Sequence, residues 1–105
     1  MFVMNGYTWD IAFVHPYSPE LRRSDGSITV GMTDWNKHTV FISEALRGQF
    51  LRKVFIHEIC HVACFSFDVK MDIEQEEFLC DFVSTYGDEI FEVVDDFFAV
   101  LKKYA

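Results

Sequence analysis

Apolar and polar positions alternate in the first part of the chain, then recur every three to four residues in the second. Residues 7–14, Tyr-Thr-Trp-Asp-Ile-Ala-Phe-Val, are rich in β-branched and aromatic side chains and predict a strand. His15-Pro16 ends it, because proline has no N–H to give to a ladder. A second strand is expected over 28–33. A third is expected over 39–42, joined to the second by a hairpin connection at 34–37. The segment 15–27 reads as a loop with both prolines, the pair Arg22-Arg23 and the turn signal Ser24-Asp25-Gly26-Ser27.

Over 49–67 the period becomes helical. Val54, Phe55, Ile56, Ile59, Cys60, Val62, Ala63 and Phe65 leave almost no polar face except His57, Glu58 and His61. A helix apolar nearly all round belongs at the centre of a domain. Asp72 followed by Gln75 predicts a capping box opening the next helix. Phe78, Leu79, Phe82, Val83 and Tyr86 form its expected buried stripe. Gly87 reads as a kink or a boundary between two helices. Ile90, Val94, Phe97, Phe98 and Leu101 continue the period to Lys102-Lys103, a favourable basic end. Three strands followed by two or three helices make an α+β arrangement.

Composition narrows the function classes. One hundred and five residues, half of them hydrophobic and twelve of them Phe, suit one domain over 1–105 with a real core. The net charge of −8 lacks the basic footprint of a nucleic-acid binder. Ten of the seventeen carboxylates fall between Asp72 and Asp96. Cys60, Cys64 and Cys80 show no framework spacing and read as free thiols in a reducing compartment. No signal peptide and no apolar run long enough to span a membrane is visible, so a soluble cytoplasmic protein is expected.

The polar residues left on the apolar helix carry the chemistry. Imidazoles four apart on a helix are separated by about 40° and can reach one metal ion. In His57-Glu58-Ile59-Cys60-His61 the intervening Glu58 can take a proton from metal-activated water, the logic of the H-E-x-x-H zinc hydrolases. Burying these groups is costly unless they are paired or bound. A catalytic Zn2+ needs a third protein ligand and one open position. His15, His38, Cys64, Cys80 and the acidic helix all offer one. His15 and His38 read as isolated surface residues, and Cys64 and Cys80 as core thiols. Glu77 stands out because Asp81, one turn on, can hold the outer nitrogen of a ligating His. Glu74 and Glu76 read as solvated face, with Glu76 the main rival to Glu77 as ligand.

H-E-x-x-H followed sixteen residues later by Glu77-Phe78-Leu79-Cys80-Asp81-Phe82-Val83 resembles the ImmA/IrrE-like family of small gluzincins from bacteria, phages and mobile elements. The resemblance takes in residues 7–95. It implies a minimal zincin-like domain: a small three-stranded sheet, a buried H-E-x-x-H helix and a Glu-ligand helix. It also implies a zinc metallopeptidase that cleaves an intracellular protein, with His57, His61 and Glu77 as metal ligands, Glu58 as general base and Asp81 behind a ligand. The substrate is a protein or peptide, with neither nucleic acid nor membrane as partner. An extended substrate is expected to pair along 39–42 as the sheet edge. Tyr86, Tyr104, His38 and Arg47 are all candidates to polarise the scissile carbonyl, and Arg22-Arg23 reads as a solvated turn. The competing class is a catalytically silent zincin-like interaction module with a structural zinc, and a third reading closes a structural site with Cys64 or Cys80. Oligomeric state is open.

Overall fold

The computed structural model describes residues 1–104, the side chain of Tyr104 excepted. Its first element is one the sequence reading missed. β1, Phe2–Met4, pairs antiparallel with β2, Tyr7–Val14, across the two-residue turn Asn5-Gly6. Both turn residues have positive φ, 48° and 82°. That is the primed turn whose twist suits a hairpin and for which Asn-Gly is the preferred sequence. Three residues are too few to show an alternation, so the turn was the better signal.

The sheet therefore has four strands, not three, in the order β1-β2-β4-β3, with β3 at Gly31–Asp34 and β4 at Thr39–Ser43. β2 and β4 run parallel, while β3 and β4 are antiparallel. The 28–33 strand starts late: Ile28 instead bridges to Arg22, folding the 22–28 turn back on itself. The 34–37 connection is as expected, and the Asp34 carboxylate accepts the N–H groups of Asn36 and Lys37 at 2.9 and 3.0 Å. The expectation of a sheet edge at 39–42 is corrected. β4 lies between β2 and β3 and is buried over Val40–Ser43, as a two-sided central strand must be. The edge beside the helices is β3.

Helix α1, Gly48–Ser66, packs Val54 and Val62 on Trp9, Val40, Ile42 and Leu46, which form the core. It is not buried all round. The sheet covers one side and the second helix another, leaving Phe50 56 % exposed. Helix α2, Ile73–Tyr104, opens with the expected box: Gln75 N–H donates to Asp72 Oδ1 at 2.8 Å, and Asp72 N–H to Gln75 Oε1 at 3.3 Å. It then runs unbroken through Gly87, which is neither boundary nor end.

The expected stripe of α2 is also corrected. Phe78, Phe82 and Tyr86 are exposed, and Leu79 and Val83 are half-buried. The face turned to α1 instead carries Glu76, Cys80 and Gly87, all buried. A charged side chain, Glu76, takes the packed face while three aromatics stay outside it. The reason lies in what α1 presents there.

Candidate metal centre

His57 and His61 lie one turn apart on α1, with their Nε2 atoms 3.2 Å apart. From α2, Glu77 reaches both, with Oε2 3.3 Å from His57 Nε2 and Oε1 2.9 Å from His61 Nε2. One donor atom from each of the three residues falls within 4.8 Å of the others, so the group can hold a metal ion.

The outer ring nitrogens explain why α2 turns this face inward. His57 Nδ1 is 3.0 Å from Asp81 Oδ1, and His61 Nδ1 is 2.6 Å from Glu76 Oε2. An ionised carboxylate only accepts hydrogen bonds, so each Nδ1 carries a proton, and a neutral ring then has its lone pair at Nε2. Two imidazole lone pairs and a carboxylate then converge on one point with no hydrogen among them. Only a cation or added protons reconcile that convergence. The nitrogen and oxygen donors suit Zn2+.

Asp81 stands where a residue that orients a ligating His was expected. Glu76 fits neither earlier reading of it: it is not on the solvated face, and it does not reach the donor group. It is buried behind His61 and orients that ring. Its signal in the sequence was one step of helical rotation. Glu76 and Glu77 are adjacent, so one can reach the near side of a histidine pair and the other the far side.

Glu58 is buried beside the group. Thr33 Oγ1 donates to its Oε1 at 2.8 Å, while Oε2 lies 4.0 Å from His57 Nε2. Thr33 was missed, although Gly31 and Thr33 alternate on the face of β3 that meets α1. Gly31 makes this approach possible, because a Cβ there would sit 2.8 Å from Val54 Cγ1 and 3.1 Å from Glu58 Cγ.

Two clefts flank the centre. One of about 520 Å³ is lined by Met32, Thr33, Trp35, Ile73 and the Arg22-Arg23 turn, and reaches His57, Glu58, His61 and Glu77. The other, of about 310 Å³, shares Gly31, His57, Glu58 and Glu77 and extends past Phe50 and Asp81. Neither is lined by Tyr86, His38 or Arg47, and the Tyr104 side chain lies outside the described residues. Arg22 and Arg23 are exposed, as a solvated turn is, and also line the larger cleft.

Compared with protein-family models, curated proteins and solved structures, the chain matches none.

The other candidate ligands lie elsewhere. His15 accepts the Tyr17 N–H, and His38 stacks on Trp9 with centroids 4.6 Å apart. The three thiols cluster in the α1–α2 seam, and among the described residues none joins the metal-binding group. Hydrogen bonding to Cys80 lowers the Cys60 pKa to about 7, against an opposing effect of burial. Burial first, then the neighbouring thiol, raises Cys64 to about 11.

Proposed function

We propose that the chain is a zinc-dependent endopeptidase of the small gluzincin kind, cleaving an intracellular protein. The observation that carries this reading is the convergence of His57 Nε2, His61 Nε2 and the Glu77 carboxylate, with Glu58 buried at their side and open clefts before them. His57, His61 and Glu77 would hold the zinc. When bound, zinc acidifies water and polarises a carbonyl.

The remaining work falls to the chain's own residues. Thr33 fixes Glu58 through Oε1, which leaves Oε2 on the His57 side to receive a proton from the attacking water. Glu58 then returns that proton to the leaving amine. Asp81 and Glu76 keep both rings in the tautomer that presents Nε2. β3 pairs on one side only, with β4, and contributes Gly31, Met32 and Thr33 to the larger cleft. An extended peptide can add to that edge as a further strand, which brings its carbonyls past Glu58. Arg22 and Arg23 form the cationic wall of the same cleft.

A silent module with a structural zinc would use the same three ligands. It would leave unexplained a carboxylate buried by a glycine and anchored by a threonine beside an open cleft. The deciding experiment compares Glu58→Gln with His57→Ala on zinc content and peptide hydrolysis. Glu58→Gln should retain zinc and lose at least about 10²-fold in turnover, the scale of general-base catalysis. His57→Ala should lose both. Undiminished hydrolysis by a zinc-loaded Glu58→Gln protein would remove Glu58 from the mechanism, and a zinc-loaded native chain inert to all peptides would favour the module.

A further inference from the structure

α2 outruns the partner it packs on. Arg52, in the second turn of α1, pairs with Asp88 at 2.7 Å and marks the level where α1 begins. Beyond about Phe91, some thirteen residues of α2 project roughly 20 Å further. The molecule is accordingly elongated, 55 × 30 × 27 Å. The projecting part is not a polar spacer. Successive residues turn by 100°, and on that rotation the face that buries Glu76, Cys80 and Gly87 runs on as Ile90, Phe91, Val94, Phe98 and Leu101, with Phe97 at its border. These six side chains are 42–63 % exposed.

We infer that this face is a homodimer interface, in which the projecting ends of two copies of α2 pack antiparallel. Covering the six side chains removes at most about 600 Å² of surface per copy, which sets the pair at the lower limit of stable interfaces. Charge selects both the partner and its direction. Asp95 and Lys102 flank one side of the apolar face, and among the described residues neither has an ion-pair partner. In a parallel pair that side would meet the partner's opposite side, which carries Val93, Phe97 and Val100 rather than charge. In an antiparallel pair centred near Phe97 the two charged sides meet, and Lys102 of each copy lies within about one turn of the partner's Asp95. Asp95 itself falls opposite the partner's Ala99 rather than another carboxylate. The two bodies then lie at opposite ends of a short helical pair, with both clefts open. The interface does not depend on the hydrolytic reading.

The test is the mass in solution of the full chain and its variants, by sedimentation or light scattering at micromolar concentration. The native chain should be a dimer, and Phe98→Asp a monomer with unchanged helix content, since Phe98 touches no core. Lys102→Glu should weaken the dimer at least tenfold, and adding Asp95→Lys should restore it. A native chain that stays monomeric overturns the inference, including one that instead floats with lipid vesicles. So does a dimer indifferent to Phe98→Asp or to the charge reversals. Zinc content and hydrolysis, measured on the same samples, report separately on the metal centre.

Discussion

Gly31→Ala is the sharpest available probe of how the sheet edge sets the position of Glu58. Gly31 is not one of the glycines with positive φ, so alanine fits its backbone and only space is at issue. The added methyl would lie 2.8 Å from Val54 Cγ1, 3.1 Å from Glu58 Cγ and 3.4 Å from Glu58 Cδ. Ordinary carbon contacts are about 3.5–4.0 Å, so β3 and α1 must part by up to roughly 1 Å. Val54 offers little relief, being buried and β-branched in a helix, where one rotamer dominates. Overpacking of this kind costs about 1–3 kcal/mol. In a domain of this size each kcal/mol lowers the Tm by about 4–8 °C.

The same displacement has a second consequence. Glu58 is held between Gly31 and Thr33, so parting β3 from α1 lengthens the 2.8 Å Thr33 bond and lets the carboxylate drift. A misplacement approaching 1 Å in a reacting group costs on the order of 10² in rate. The zinc ligands come from α1 and α2 alone, so zinc affinity should hardly change. Thermal melting, zinc competition against a chelator, and turnover per folded, zinc-loaded molecule measure the three quantities. Native stability in Gly31→Ala would refute the packing argument. Lowered stability with full turnover would show that β3 does not position Glu58.

Two further outcomes follow from the surroundings of the centre. Glu76→Gln and Asp81→Asn should each weaken zinc binding by about 10–100-fold, as loss of a ligand-orienting carboxylate does. Glu76 should matter more, because its side chain is 11 % exposed against 71 % for Asp81; equal affinities across native and both variants would remove the orienting role. Among the thiols, Cys60 should be alkylated first, its rate rising as pH passes about 7, because the thiolate is the reactive form and its fraction grows with pH there. Cys64, pushed up to about 11, should lag at neutral pH, and peptide mapping that found Cys64 labelled first would contradict the assigned environments.

The parts of the fold legible in the sequence were those where a local signal stood alone. β2 showed its β-branched and aromatic run, α1 its apolar density, and the start of α2 its capping pair. β1 was hidden because its evidence lay in the turn that follows it. The position of β4 was hidden because parallel pairing with β2 joins segments separated by the whole 15–38 connection, which no periodicity reports. The α2 stripe failed for a different reason. Phe78, Phe82 and Tyr86 make the stronger hydrophobic pattern, but pattern alone weighs burial without asking what lies opposite.

What lies opposite α2 is two imidazoles that cannot remain buried on α1 without acceptors. One face of α2 offers three aromatics at helical spacing. The neighbouring face offers Glu76 and Glu77 together with two small residues, Cys80 and Gly87, that allow the helices to close. Turning the aromatics inward would leave both rings unpaired, and each unsatisfied buried polar group costs about 1–3 kcal/mol. Turning the carboxylates inward gives both ring N–H groups an acceptor and leaves the aromatics half in water. Exposing a large apolar side chain forfeits about 1.5–3 kcal/mol only if it could otherwise be fully buried, which these could not be at one helix–helix seam. The choice also commits the rest of α2. Its inward face continues past the start of α1 as Ile90, Phe91, Val94, Phe98 and Leu101, so the rotation that builds the centre also presents an apolar surface at the far end of the helix.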